Sequence, residues 1–222
     1  MPGIEEVVDG VYRRTIVGGR VIGLGDPAAA PLLGADPAAA DAHLARDPVL
    51  GPLVAARPGL RVPGTVDGGE LAIRAVLGQQ VSLAAARTLA ARLVAAAGEP
   101  LAEPVGGLTH VWPRPEAIVA AAPSLGMPRA RQRAVAAVAQ ALADGLRLER
   151  GRDARAELLA LPGVGPWTAE YIAMRALGDP DAWLPTDLGV RHGLARLRVG
   201  VEAAEAWRPF RAHAVIHLWS SA

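Results

Sequence analysis

The sequence of 222 residues contains no cysteine and few aromatic residues. Without cysteine it can form no disulfide, and it has no thiolate for catalysis, for a zinc site or for an iron–sulfur cluster. No apolar run reaches the roughly 18 residues that a membrane span needs, and the acidic N-terminus lacks an apolar signal core. We therefore expect a cytoplasmic protein.

The chain also has almost no excess of either positive or negative charge. The chain has 23 Lys and Arg residues against 22 Asp and Glu residues, which leaves a formal net charge of +1. This balance is too even to draw the whole chain to a polyanion by long-range attraction. Any contact with a polyanion must therefore come from local groups.

Apolar residues are abundant, and they follow a helical spacing. They make up 51% of the chain, enough for a buried core. Alanine-rich segments carry charges at helical intervals, whereas runs of Val, Ile and Thr are short and confined to the first 25 residues. The sequence predicts a mainly α fold with one short β-hairpin, formed by residues 11–17 and 20–24 around Gly18 and Gly19.

Capping residues and breakers divide the rest of the chain into helices. The segment Arg57 to Gly64 interrupts the pattern and predicts a crossing between subdomains. A hinge near residues 78–81, with Ser82 as a cap, predicts two helices between Gly69 and Ala97. The other predicted helices cover residues 38–46, 49–56, 115–122, 129–143, 154–159, 166–177, 188–197 and 207–219.

The segment Pro162-Gly163-Val164-Gly165-Pro166 combines two glycines with a helix-starting proline. The glycines allow a sharp turn with exposed N–H groups, and Pro166 begins a helix where its missing N–H costs nothing. The N-terminus of such a helix binds anions through free amides and the helix dipole. The alternative interpretation is a tight connection between two helices.

A carboxylate and two aromatic side chains accompany this turn. Trp167 and Tyr171 are four residues apart, so their rings share one face of the predicted helix, where core packing is the alternative role. Asp187 precedes another predicted helix and could be an ordinary N-cap. Asp179 and Asp181 are nearby acidic alternatives that resemble turn residues.

The segments Leu161 to Tyr171 (LPGVGPWTAEY) and Leu184 to Asp187 (LPTD) resemble the helix-hairpin-helix DNA glycosylases of the bacterial 3-methyladenine-DNA glycosylase II (AlkA) type. Further matches in the same order extend the resemblance over about residues 50–222: Arg61–Gly64, Arg74–Ser82, Leu125–Met127 and His217–Trp219. The resemblance implies two helical subdomains flanking a DNA-binding cleft that contains the helix-hairpin-helix motif.

The resemblance also implies a division of the chain. Residues 1–35 would form a β element, reduced from the β-rich N-terminal domain of that type and packed on the helical core. Residues 36–64 and 188–222 would form one helical subdomain from both chain ends. Residues 65–187 would form the central subdomain with the hairpin, and the short N-terminal element would leave the cleft more open.

Roles for individual residues follow from the same resemblance. Asp187 would be the catalytic residue, stabilising the positive charge that develops on the sugar. The resemblance assigns the base pocket to Trp167, Tyr171, Trp219 and Leu188, and the DNA-backbone contacts to amides of Gly163, Gly165 and Thr168. Carbonyls of Leu159, Leu161 and Gly163 would hold a structural Na⁺ or K⁺. Gln80 stands at the wedge position, where that type has leucine, and Leu188 replaces a tyrosine.

The function implied is excision of alkylated purines such as 3-methyladenine and 7-methylguanine from double-stranded DNA, leaving an abasic site. Trp167 occupies the position where related lyases carry a Schiff-base lysine, so we expect a monofunctional enzyme. We expect no cofactor to be required for catalysis and a monomer associated with the nucleoid. The alternatives are a non-enzymatic helix-hairpin-helix binder of distorted DNA and an adenine-mismatch glycosylase, a type that usually carries a cysteine-ligated cluster.

Overall fold

The computed structural model describes residues 4–5, 14–17, 20–23 and 26–221. Its first five helices are α1 (Ala38–Leu44), α2 (Gly51–Ala56), α3 (Gly68–Leu77), α4 (Leu83–Ala97) and α5 (Pro115–Ala121). The other five are α6 (Arg129–Ala143), α7 (Arg155–Leu159), α8 (Pro166–Ile172), α9 (Leu188–Leu197) and α10 (Arg211–Ser221). A π-helical turn, Ala173–Leu177, continues α8, and 3₁₀ helices cover Pro27–Leu33, Ala122–Ser124 and Val201–Trp207. The predicted mainly helical fold is therefore confirmed.

The N-terminal β element has three strands instead of the predicted two. Strand β2 (Arg14–Val17) pairs antiparallel with β3 (Arg20–Gly23), in the register Val17 to Arg20, as the predicted hairpin requires. The short strand β1 (Ile4–Glu5) adds to the other edge of β2 and was not predicted. Two residues are too short a run to give a readable strand pattern. Gly18 and Gly19 lie outside the described residues.

A second hairpin was also missed by the sequence prediction. Strand β4 (Pro100–Val105) pairs with β5 (Leu108–His110), and Gly106 takes a φ of 56° in the turn. Pro100 and Pro104 obscure the pattern because proline lacks the N–H that a ladder needs. β4 also contacts β3, so this hairpin lies beside the N-terminal sheet.

Side-chain caps begin three of the helices, α3, α4 and α9. Ser82 Oγ accepts a hydrogen bond from the Ala85 N–H at 3.2 Å, which confirms the predicted hinge before α4. The last helix was predicted from Trp207, but α10 begins at Arg211. Pro209 explains the difference because it lacks an N–H and disfavours helical geometry at the preceding residue. No helix among the described residues is long and apolar enough to cross a membrane.

The core is continuous through the helical part of the chain. α3 contacts both α6 and α8, and Ile73 and Ile172 are fully buried there. Trp207 is also fully buried, with the Trp183 ring edge-on at 5.8 Å between centroids. Trp112 packs at the margin of this core, where the Arg74 guanidinium lies 4.5 Å from its ring centroid. These three tryptophans therefore stabilise the fold.

The first and last helices meet at a cluster of polar side chains. His217 Nε2 on α10 lies 3.8 Å from Asp41 Oδ1 on α1. His43 on α1 bonds the Ala206 carbonyl at 3.2 Å through its ring nitrogen. The two chain ends therefore contact each other, as the subdomain division expects, while the domain boundaries themselves stay a prediction.

Two histidines in this cluster are buried, with ring nitrogens that lack hydrogen-bond partners among the described residues. His213 and His217 are 4% and 2% exposed, and both His213 nitrogens and His217 Nε2 have no hydrogen-bond partner among the described residues. Burial lowers the pKa of both imidazoles, although the nearby Asp41 carboxylate acts in the opposite direction. Both side chains are thus held in their neutral form, one turn apart on α10.

This burial predicts a loss of stability in mild acid. A histidine whose folded-state pKa is lowered contributes full stability above its unfolded pKa, near the ordinary value of 6.5, and loses it as the pH falls toward the folded pKa. We expect the melting temperature of the wild type to fall by about 2–5 °C between pH 7.5 and 5.5. His213→Leu should reduce that fall.

The control is His192→Leu, which removes an exposed histidine on α9. It should leave the pH dependence of the melting temperature as in the wild type. Equal pH dependence of the melting temperature in His213→Leu and the wild type would show that protonation of His213 does not cause the loss of stability.

Candidate active site

The hairpin between α7 and α8 is built around two glycines with different constraints. Gly163 has a φ of 81°, and a Cβ there would lie 2.5 Å from the Ala134 Cβ of α6, so only glycine fits. Gly165 is the N-cap of α8 in extended geometry, and a Cβ there would meet nothing within 4 Å. The start of α8 is therefore open on the side of Gly165, with Pro166 in its first turn.

An ion-pair network holds the two helices of this hairpin together. Arg155 Nε on α7 lies 2.7 Å from Glu170 Oε1 on α8, and the same guanidinium also pairs with Asp179. Hydrogen bonding to Glu170 raises the pKa of the Arg155 guanidinium, and Asp179 adds to this effect. Asp181 pairs with Arg211 at 2.8 Å. The two acidic alternatives to Asp187 are thus both engaged in ion pairs.

Asp187 is the N-cap of α9 and also accepts two further hydrogen bonds. Its Oδ1 atom accepts from the Val190 backbone N–H at 3.0 Å, which is the capping bond. Trp219 Nε1 donates to the same oxygen at 2.8 Å, and Trp167 Nε1 donates to Oδ2 at 3.0 Å. The three donors are uncharged N–H groups, and they fix the direction of the half-buried carboxylate.

The aromatic rings of α8 form a stack beside this carboxylate. The Trp167 and Tyr171 rings lie 5.2 Å apart between centroids with an interplanar angle of 11°. Arg175, four residues further in the π-helical turn, donates from Nη1 to the Tyr171 hydroxyl oxygen at 3.0 Å. Its Nε also donates to the Pro63 carbonyl in the crossing segment. The stack is therefore attached to both subdomains predicted from the sequence.

Trp219 packs tightly against the first turn of α9. A Cβ on Gly189 would lie 2.7 Å from Trp219 Cδ1 and 3.2 Å from Asp187 Oδ1. Glycine at this position therefore lets the indole reach the carboxylate. Leu188, predicted as a pocket residue, is 69% exposed beside Asp187.

The predicted wedge lies on the turn between α3 and α4. Gln80 is exposed and has a φ of 53°, which is unusual for a residue other than glycine. The preceding Gln79 donates from Nε2 to the Gly163 carbonyl at 3.0 Å and to Thr168 Oγ1 at 2.9 Å. Thr168, predicted to bind a phosphate, is 3% exposed. The wedge turn is therefore in direct contact with the hairpin.

The carbonyls predicted to hold a cation belong to the end of α7 and the hairpin turn. The Leu161 carbonyl accepts from the Val164 N–H at 3.1 Å, and the Gly163 carbonyl accepts from Gln79. A carbonyl oxygen has two lone pairs, so each can still accept another partner. Neutral oxygen ligands of this kind suit a hard cation such as Na⁺ or K⁺. A cation on these carbonyls and that of Leu159 stays a prediction.

A separate cavity of about 500 Å³ is lined in part by Arg175. Its lining includes Asp67 and Glu70 at the start of α3, and Arg147 after α6, but not Asp187. Burial raises the pKa of Glu70, although its ion pair with Arg74 acts in the opposite direction. The hydrogen bonds around Asp187, and not this cavity, therefore define the candidate active site.

The structure brings together the carboxylate and all three predicted pocket aromatics: Asp187, Trp167, Tyr171 and Trp219. Sequence reasoning missed Gln79, Arg175 and Gly189. Arg175 has a local signal, since it lies four residues after Tyr171 on the predicted helix. The bonds of Gln79 join residues 84 and 89 positions apart, and no sequence pattern indicates them.

The same architecture occurs in a solved DNA-repair structure. The Clostridium acetobutylicum 8-oxoguanine glycosylase/lyase, solved with double-stranded DNA, superposes with a TM-score of 0.80 at 16% sequence identity. The match covers 99% of this chain and 87% of that protein. At this identity the similarity establishes the fold, which is that of the helix-hairpin-helix glycosylases.

Sequence comparison finds relatives with higher identity to this chain. The AlkA N-terminal domain model matches residues 32–67, so the similarity begins before residue 50. A Mycobacterium tuberculosis protein named probable bifunctional transcriptional activator/DNA repair enzyme AlkA is 44% identical over 261 aligned positions, covering all of this chain and 52% of that protein. The Escherichia coli DNA-3-methyladenine glycosylase 2 is 39% identical over 181 positions, covering 77% of this chain and 63% of that enzyme.

The chain is therefore similar in sequence to proteins named AlkA and DNA-3-methyladenine glycosylase 2, and it has the fold of the helix-hairpin-helix DNA glycosylases. It spans between about half and two thirds of the length of these two relatives.

The contact between Gly189 and Trp219 gives a test of the site geometry that does not depend on activity. Alanine favours a helix over glycine by about 1 kcal/mol, so Gly189→Ala would stabilise an unobstructed helix. Because its Cβ would lie 2.7 Å from Trp219, we expect a loss of about 1–3 kcal/mol in urea unfolding instead.

The same substitution in a Trp219→Leu background serves as the control. With the indole removed, Gly189→Ala should be neutral or stabilising. Stabilisation by Gly189→Ala in both backgrounds would show that Trp219 does not pack against this turn.

Proposed function

We propose that this chain is a monofunctional DNA glycosylase that hydrolyses the N-glycosidic bond of alkylated purines in double-stranded DNA and leaves an abasic site. The observation that carries the proposal is the Asp187 carboxylate, held by the indole N–H groups of Trp167 and Trp219. The sequence similarity to a DNA repair enzyme named AlkA and to a DNA-3-methyladenine glycosylase 2 supports the same activity. Substrates of the 3-methyladenine and 7-methylguanine type, and action as a monomer, are part of the proposal.

Asp187 would act on the sugar. When the bond between the base and C1′ breaks, positive charge develops on the sugar ring, and a fixed carboxylate stabilises that charge. A carboxylate has about four lone-pair sites, and N–H groups occupy three of them here. The remaining site can accept a hydrogen bond from water as it attacks C1′. The donors orient the carboxylate without neutralising it.

The aromatic side chains would select the base. An alkylated purine of the proposed type carries positive charge, and aromatic faces attract cations by about 0.5–2 kcal/mol. Trp167 and Trp219 lie beside the carboxylate, Tyr171 stacks on Trp167, and the exposed Leu188 lies at the rim. A cationic base is also a good leaving group, so the pocket needs no strong general acid.

The hairpin would hold the DNA backbone on both sides of the flipped nucleotide. Amides of Gly163, Gly165 and Thr168 would contact phosphates, and a Na⁺ or K⁺ ion on the carbonyls of Leu159, Leu161 and Gly163 would supply positive charge between the hairpin and DNA. Gln80 would fill the space that the flipped base leaves. These contacts are local, which agrees with a net charge of only +1.

Asp187→Asn tests the catalytic role. Asparagine caps helices as well as aspartate does, so the variant should fold, while the negative charge beside the sugar is lost. We expect release of 3-methyladenine and 7-methylguanine from methylated DNA to fall at least about 100-fold. Single-turnover base release, measured by chromatography, gives the result.

The matched control is Asp67→Asn. Asp67 caps α3 by accepting from the Glu70 N–H at 2.8 Å, as Asp187 caps α9, but it lies outside the indole cluster. This variant should release bases as the wild type does. Equal release by Asp187→Asn and the wild type would refute the mechanism, and DNA binding without release by the wild type would favour a non-enzymatic binder.

The absence of lyase chemistry is a separate expectation. Trp167 stands where related lyases have lysine, and its indole nitrogen donates to Asp187, so no amine is available there to form a Schiff base. Borohydride should trap no covalent complex with damaged DNA, and abasic strands should stay uncut until alkali is added. Gel electrophoresis measures both, and Trp167→Lys is the informative comparison. A trapped wild-type complex would contradict the proposal.

A further inference from the structure

One side chain joins the wedge turn to the hairpin. Gln79 Nε2 donates to the Gly163 carbonyl and to Thr168 Oγ1, at 3.0 Å and 2.9 Å. One acceptor, the Gly163 carbonyl, lies in the turn before α8, and the other, Thr168 Oγ1, lies in the first turn of α8. The two hydrogens of the Gln79 amide therefore both point into the hairpin.

The orientation of this amide follows from its partners. Rotating the amide by 180° would place Oε1 against the Gly163 carbonyl oxygen, and neither atom can donate a hydrogen. The contact with Gly163 thus requires the NH₂ group on the hairpin side. The arrangement is specific for an amide, because a carboxylate at this position would repel the carbonyl.

Gln80, the residue that follows Gln79, has a strained backbone. Gln80 has a φ of 53°, a region that side chains other than glycine and asparagine rarely occupy. Such a conformation persists only where its surroundings hold it. The flanking residues are Gln79, fixed to the hairpin, and Val81, which precedes the Ser82 cap of α4. The backbone of the exposed Gln80 is therefore joined to the hairpin through its neighbour Gln79.

We propose that Gln79 is a positioning residue that sets the place of the Gln80 wedge relative to the phosphate-binding hairpin. This inference rests on the proposed function, which assigns the wedge and hairpin roles. A duplex held at the hairpin would then meet Gln80 already aligned with the gap opposite an extruded nucleotide. The hydrogen bonds of Gln79 go to the hairpin and not to the Asp187 carboxylate, so the anchor acts on DNA binding more than on bond cleavage.

The experiment compares Gln79→Met, Thr168→Val and the double variant. Methionine keeps the length of the side chain without its hydrogen bonds, and valine removes only the Thr168 hydroxyl. The probes are a duplex with a tetrahydrofuran abasic analogue and an undamaged duplex of the same sequence. Fluorescence anisotropy measures the dissociation constant for each, and single-turnover assays at saturating enzyme measure base release.

We expect Gln79→Met to bind the abasic duplex about tenfold more weakly and Thr168→Val about threefold more weakly. The double variant should bind no more weakly than Gln79→Met, because both substitutions break the same bridge. Binding to undamaged DNA should change less than binding to the abasic duplex. Base release by Gln79→Met at saturating enzyme should stay within about threefold of the wild type.

Gln140→Met is the matched control, since Gln140 Nε2 bonds only the Asp144 carboxylate on the exposed side of α6, at 2.9 Å. Its preference for the abasic duplex should equal that of the wild type. An unchanged preference in Gln79→Met, or independent effects of the two single variants, would overturn the inference. If the wild type binds the abasic duplex but releases no base, the proposed function fails. The ratio of the dissociation constants for the abasic and undamaged duplexes would still test the role of Gln79.

Discussion

Three N–H groups converge on the Asp187 carboxylate, and the arrangement of three helices depends on them. Trp167 donates from α8, Val190 from α9 and Trp219 from α10. A half-buried carboxylate that lost its water without new donors would be costly, so each donor stabilises both the charge and the packing of its own helix. The same contacts that close the fold here also fix the direction of the carboxylate.

A chain of further contacts supports this convergence. Trp167 is held by stacking on Tyr171, and the Tyr171 hydroxyl accepts from Arg175, which also bonds the Pro63 carbonyl. On the other side, Trp219 reaches the carboxylate only because Gly189 has no Cβ. The position of Asp187 is therefore coupled to the crossing segment near Pro63 and to the last helix. Residues that never touch the carboxylate still determine its surroundings.

Local chemistry made much of this arrangement predictable from the sequence. The four-residue spacing of Trp167 and Tyr171 indicates a shared helical face, and Asp187 before Leu188 is typical of an N-cap. The β4–β5 hairpin was missed because prolines mask its strand pattern. The hydrogen bonds from Gln79 to the hairpin join segments more than 80 residues apart. They depend on tertiary packing, and the spacing of residues within a helix or strand cannot predict them. Local rules thus indicate the shared face of Trp167 and Tyr171 and the cap at Asp187, whereas Trp219 was expected only from the family resemblance. The contacts that align these residues are tertiary.

The carboxylate also bears on the choice between an enzyme and a protein that only binds DNA. In the proposed complex Asp187 would place a negative charge near DNA phosphates, which opposes binding, and no basic residue is among its three donors. A protein that only bound the DNA backbone would bind better with a neutral residue at position 187. Asparagine would cap α9 equally well. The carboxylate becomes useful once positive charge develops on the sugar. The arrangement therefore favours bond cleavage over binding alone, because only cleavage offsets the repulsion that Asp187 adds.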